Sequence, residues 1–261
     1  MKKTVNHLII PDLQVRPGQD LTYLDWIGEY MVEQRPDTLV CIGDFFDLPS
    51  LSSYDKGRAC SEGRRLSDDL DAGRRGMDRL LRPLRALQVK QKKNKDKVYR
   101  PNMVFTLGNH EERLARHVDA NPELVGFVDY ADFCLERHGW VVHDYLKPVE
   151  VDGITYVHYL ANPFTGKPYG GTALTQLKNV GKSFVVGHKQ CLDIAVRPII
   201  DGSMQLGVVC GACYPHNEAY KGYQGNSHFR GLIVLHDVKD GYGDIMCVSL
   251  DYLKRVYEDR Q

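Results

Sequence analysis

Four short polar blocks each follow an apolar run of the kind that forms a β-strand. Asp12-Leu13-Gln14 follows His7-Leu8-Ile9-Ile10-Pro11, and Gly43-Asp44-Phe45-Phe46-Asp47 follows Thr38-Leu39-Val40-Cys41-Ile42. Gly108-Asn109-His110-Glu111 follows Met103-Val104-Phe105-Thr106-Leu107, and Gly187-His188-Lys189-Gln190 follows Ser183-Phe184-Val185-Val186. His158 closes a further apolar run, Ile154-Thr155-Tyr156-Val157. Carboxylate, amide and imidazole donors are the groups that hold a divalent cation and activate water for hydrolysis. Taken singly, His158 reads as a core histidine and Asp12 as a turn residue. Taken as an ordered set, they point to a metal centre. Gln14 and Gln190 read equally as ligands or as amides beside a one-metal site.

The elements that must position these residues are α/β in character. Apolar runs alternate with amphipathic stretches through residue 190, which points to layered helices and at least some parallel strands. A first helix is expected over Leu21 to Gln34, stopped before Arg35-Pro36, and another follows Asn109. Leucines and Met77 between Leu66 and Leu87 recur at helical spacing, predicting one long helix bent or interrupted at Pro83, with Gln91 to Lys97 as an exposed basic loop. Met204–Val209, Gly231–His236 and Ile245–Leu250 are expected to be antiparallel strands that finish a sheet. In an open α/β sheet, functional loops gather at the carboxyl ends of the strands, so the polar blocks should meet at one edge. Each glycine before a ligand is expected to let the backbone turn out of its strand.

The chain of 261 residues is long enough for one full core, and nothing divides it into two domains. Its formal net charge is zero, yet Lys56 to Arg100 holds 15 Lys/Arg against 6 Asp/Glu. This basic segment sits between two of the blocks and is expected near the rim of the cleft, where it would attract nucleotides or a phosphate backbone. No apolar stretch is of membrane-spanning length and no secretory leader is evident, so no membrane partner is expected. The seven cysteines fit a reducing cytosol, and Cys210-Gly211-Ala212-Cys213 lacks the second pair of a zinc site.

The order Asp-x-Gln, Gly-Asp-x-x-Asp, Gly-Asn-His-Glu, His, Gly-His-x-Gln resembles the calcineurin-like metallophosphoesterases, over Asp12 to Gln190. Gly108-Asn109-His110-Glu111-Glu112-Arg113-Leu114 is similar to phage and bacterial members, which implies a cytoplasmic protein, in the host if phage-encoded. The resemblance implies a single four-layer α/β/β/α sandwich over 1–261 with a helical basic insertion at about 48–101. It implies two divalent ions bridged by Asp44, one completed by Asn109, His158 and His188, the other held by Asp12. Gln14 and Gln190 stand where the family places histidines of that second ion. Amide oxygens are harder ligands than imidazole, which tilts the centre toward Mn2+ ahead of Mg2+, Zn2+, Fe or Ni2+, or toward weak occupancy of that half. His110 would move a proton at the leaving oxygen, with Asp47, Glu111 and Arg113 behind the ligands. Arg58, Arg64, Arg65 and His216 are candidate substrate contacts. The implied reaction is hydrolysis of a phosphodiester, or a phosphomonoester, by metal-activated water, with a nucleotide or nucleic acid as substrate. A serine/threonine protein phosphatase is the neighbouring reading, disfavoured because Leu48-Pro49 follows Asp47. A non-catalytic binding protein with a degraded Asp12 site is the third.

Overall fold

A computed structural model describes residues 4–218 and 221–260 of the chain. The first strand shows how the layers arise. In β1 (Val5–Ile10), Leu8 and Ile10 pack with the helices while Ile9, on the opposite face, packs against a second sheet. That two-residue alternation repeats in β2 (Thr38–Cys41), where Leu39 and Cys41 join the helical side and Val40 the inter-sheet side. The connection between them is α1 (Thr22–Gln34). It ends at Arg35, whose left-handed φ of 47° precedes Pro36.

The long insertion forms α2 (Leu66–Asn94), which runs through Pro83 without interruption. Pro83 is buried against α1, where any Cβ on Gly28 would lie 3.0 Å from the proline ring and 2.5 Å from the Leu80 carbonyl. Proline removes one helical hydrogen bond, and close packing on a glycine is what this position gains. The helix also outlasts the sequence expectation. Gln91 is buried and its Oε1 accepts from the Tyr99 amide, so the exposed basic turn begins only at Lys95.

Next come β3 (Asn102–Thr106), α3 (Glu112–Ala120) and β4 (Val141–His143). The first sheet closes with β10 (Gly231–Lys239) and β11 (Tyr242–Ser249), giving the order β11-β10-β1-β2-β3-β4. β1 to β4 are parallel and β10 and β11 antiparallel. Asp240 and Gly241, with φ of 50° and 85°, form the two-residue turn between β10 and β11.

The second sheet has the order β5-β6-β7-β9-β8, from β5 (Val149–Val151), β6 (Ile154–Tyr156), β7 (Phe184–Val186), β8 (Leu192–Pro198) and β9 (Met204–Cys210). β6, β7 and β9 are parallel. The Met204 strand therefore belongs to this sheet, antiparallel to the edge strand β8 as expected but parallel to β7, and not to the pair that finishes the first. Its alternation identified a strand but carried no information on its partner. α4 (Ala173–Val180) covers the outer face, while α6 (Leu250–Tyr257) joins α1 and α2 on the first sheet. A one-turn helix, α5 (Gly222–Gly225), lies between β9 and β10. The layering is helices, sheet, sheet, helix. Among the described residues no helix is long and apolar enough to cross a membrane.

Candidate metal centre

Parallel strands point their carboxyl ends the same way, and here β1, β2 and β3 of one sheet face β6, β7 and β9 of the other. Asp12, Asp44, Asn109, His158 and His188 follow the first five of those ends. The ligand atoms of Asp44, His158 and His188 lie within 4.8 Å of one another. Asn109 Oδ1 sits among them, 2.9 Å from His158 Nε2 and 2.7 Å from His188 Nδ1. His158 Nδ1 lies 2.8 Å from the Ile42 carbonyl, which can only accept. That contact places a proton on Nδ1 and turns Nε2 toward the cluster, as a metal-ligating histidine requires.

The electrostatics ask for a cation. Asp12 is fully buried, and its Oδ2 has no hydrogen-bond partner. Burial and the neighbouring Asp44 charge push its carboxyl up to about 7. Asp44, despite burial, is held well below the usual carboxylate range by His110 and His158. Burial alone would lower His158, but Asp44 outweighs it and raises the imidazole to about 9. Burial and the charge of His158 lower His188 to about 4. Asp12 and Asp44 are buried side by side and His158 acts on both, a concentration of negative charge that a divalent ion relieves.

The loops are braced from beneath. Glu111 accepts four backbone N–H groups, those of Asp44, Phe45, Phe46 and Gly108, at 2.8–2.9 Å. The glycines serve close approach more than turning. A Cβ on Gly108 would stand 2.2 Å from Asp44 Oδ1, and one on Gly187 2.6 Å from Asp12 Oδ1; neither has a positive φ. Only Gly43, with φ of 88°, also supplies the turn expected from sequence.

His110 donates its backbone N–H to Asp44 Oδ1, and its ring lies between three charged groups. Nδ1 is 2.9 Å from Asp47 Oδ1, and Nε2 is 3.7 Å from Asp44 Oδ2 and 3.0 Å from Arg113 Nη2. Burial would lower this imidazole, but Asp44 and Asp47 raise it. Arg113 also donates to the Asp47 carbonyl at 2.7 Å.

The Asp12 half is built differently. Gln14 and Gln190 are buried, and Gln190 Oε1 accepts from Tyr214 Oη at 2.8 Å and from Lys221 Nζ. Tyr214 follows β9, the sixth strand end at this edge. Neither Tyr214 nor Lys221 carries a sequence signal; the nearest hint was the adjacent His216. That histidine is occupied, with Nδ1 3.0 Å from Gln19 Nε2 and Nε2 2.7 Å from Glu218 Oε1, and it stacks on Tyr214. Arg16 joins Glu218 to Asp47 at 3.2 and 3.3 Å.

Of the basic candidates, Arg64 is tied to the Pro49 carbonyl and Asp55, whereas Arg58 and Arg65 are exposed. The basic end of α2 does not reach the rim. Tyr99 Oη donates to the Pro36 carbonyl at 2.6 Å and Asn102 N to Asp37 O at 2.9 Å, which fixes that end beside the start of β2, opposite the site. Cys210 and Cys213 are buried free thiols, both pushed up by burial.

No family model matches the chain. It is similar to the gene 54 protein of Mycobacterium phage D29, with 27% identity over 187 residues, 69% of this chain and 67% of that protein. The gene 54 protein of Mycobacterium phage L5 is 28% identical over the same shares. Among solved structures it is similar to YfcE, a phosphoesterase from E. coli, at 11% identity and a TM-score of 0.39, with 94% of this chain and 99% of that one covered.

Proposed function

We propose that this chain is a divalent-metal-dependent phosphoesterase that cleaves phosphodiester bonds, with a nucleotide or nucleic acid as its substrate. The observation that carries the reading is the convergence of Asp44, Asn109, His158 and His188 on one point, beside a buried Asp12 oxygen with no partner. These four residues fit a divalent ion by donor type, by mutual distance and by the tautomer that Ile42 imposes on His158. Mixed oxygen and imidazole donors suit Mn2+. When bound, such an ion supplies Lewis acidity and makes water a competent nucleophile near neutral pH.

The protein's own groups do the rest. Asp44 and Asp47 hold a proton on His110, which gives it to the leaving oxygen as the P–O bond breaks. Asp47 also orients the ring through Nδ1. Arg113 lies against Nε2 and is placed to take a phosphoryl oxygen, which frees that nitrogen for proton transfer. Arg58 and Arg65 extend the positive surface toward a longer anionic substrate.

The test is hydrolysis of bis-p-nitrophenyl phosphate, 2′,3′-cyclic nucleotides and single-stranded DNA with Mn2+, Mg2+, Zn2+ or Ni2+. Diester turnover should require added metal and vanish in Asp44→Asn. Turnover that survives exhaustive chelation, or no turnover with any metal, would refute the reading.

A further inference from the structure

The Asp12 half of the centre does not suit a second divalent ion. An amide oxygen has two lone-pair directions. Gln190 Oε1 already accepts from two donors, Tyr214 Oη and the Lys221 ammonium. Lys221 also donates to Tyr214 Oη at 3.0 Å, so the three groups form a closed triangle against the metal-facing loop of β7. Burial lowers the Lys221 ammonium, while Glu218 and then Asp12 act on it as attractive charges and Arg230 as a repelling one. Residues on either side of Lys221 are joined, Glu218 N donating to Asn226 Oδ1 at 2.8 Å, and Arg16 ties Glu218 to Asp47. A positive group thus sits on Gln190 Oε1, the amide oxygen that stands at a ligand position of the ordered motif.

We propose that the Lys221 ammonium replaces the second divalent ion, so that the centre works with one exchangeable metal and one tethered monovalent cation. Lys221 offsets the charge of Asp12, and Gln190, as a neutral acceptor, positions the ammonium where an imidazole would have bound a metal. Glutamine suits this task because its amide oxygen accepts from the ammonium at any pH, whereas an imidazole loses its acceptor nitrogen when it is protonated. Like charge then keeps a second divalent ion out. The idea rests on the metal-centre reading above but makes its own claim about stoichiometry.

The full chain would be titrated with Mn2+ alone and examined by elemental analysis and electron paramagnetic resonance. The expected result is one Mn2+ per chain with the six-line signal of an isolated ion. Lys221→Met, and Lys221→Met combined with Gln190→His, should take up a second ion at least tenfold more tightly than the unaltered chain and show an exchange-coupled signal. Lys221→Arg, which keeps the charge, should stay at one. Circular dichroism would confirm that each variant folds. Two ions of similar affinity in the unaltered chain, a single ion in both folded Met variants, or two in the Arg variant would each overturn the proposal. Two ions would leave the phosphoesterase reading standing, whereas no bound ion would remove the metal centre itself and this inference with it.

Discussion

Glu111→Gln tests whether the Asp44 loop is held from beneath by a charge. The carboxylate accepts two N–H groups on each oxygen: Phe45 and Phe46 on Oε1, Asp44 and Gly108 on Oε2. A glutamine of the same shape keeps one oxygen and presents an NH2 to the other two amides. Both amides would then be buried without acceptors, at about 1–3 kcal/mol each, or roughly 2–6 kcal/mol together. Burial pushes the Glu111 carboxyl up, so a neutral amide recovers some desolvation energy and the lower part of that range is expected.

Urea unfolding followed by far-UV circular dichroism reads the effect directly. The midpoint should fall with the slope unchanged. At about 2–4 °C per kcal/mol for a chain of this size, the melting temperature should drop by 4 °C or more. Because this loop carries Asp44, affinity for Mn2+ should fall roughly 10–100-fold in the same variant. A midpoint within about 0.5 kcal/mol of the unaltered protein, inside the usual scatter of surface substitutions, would show that the four contacts do not brace the loop.

Three further outcomes are expected. His158→Ala should abolish Mn2+ binding, whereas His110→Ala should keep the metal and lose roughly 10²–10⁴-fold in diester turnover, a split read by pairing metal analysis with kinetics. His7 is buried, 2.7 Å from Tyr156 Oη and 3.0 Å from Asp152, and burial lowers its imidazole from 6.5 despite the pull of Asp152. Below pH 6.5 the unfolded chain therefore binds the proton that the folded chain resists, and stability falls as the pH drops toward the folded value, by about 1.4 kcal/mol per unit of displacement. His7→Gln should flatten the pH dependence of the urea midpoint below 6.5, and an unchanged slope would show that His7 does not contribute. Gly73→Ala would put a methyl group 2.0 Å from the ring of Phe46, itself buried with its centroid 4.5 Å from that of Phe133 in a tilted pair, at a cost of about 1–3 kcal/mol measurable by thermal unfolding.

The positions of Asp12, Asp44, Asn109, His158 and His188 were legible because each follows its own strand directly. An apolar run and the polar residue after it are neighbours in sequence, and a parallel sheet does the gathering. What lies between distant segments was not legible. The periodicity of Met204–Val209 could not say which sheet receives it. Nor could the charges of α2 say that the helix carries its basic end away from the site, since direction follows from the crossover between β2 and β3. The two glutamines stood out as departures, but their partner Lys221 lies beyond β8 and β9, in a segment with no pattern of its own.

The backbone adds a physical constraint that the side-chain types did not reveal. Gln14, Asp44, His188 and Gln190 all have left-handed φ, between 43° and 65°. Each costs roughly 1–2 kcal/mol for a residue with a Cβ, and glycine would remove the cost. Such strain persists only where surrounding contacts over-determine the conformation. At Asp44 they do: its N–H meets Glu111, and its carbonyl accepts from the amides of Leu13 and Gln14. At Gln190 the side chain reaches Tyr214 and Lys221 from the same strained position. Both halves of the centre therefore keep the strained path that aims a side chain inward. In the His158 half it aims the proposed metal ligands Asp44 and His188, and in the Asp12 half it aims the Gln190 amide at an ammonium. Loss of a metal contact alone would leave the strain at Gln190 without an offset, and the contacts to Tyr214 and Lys221 supply one.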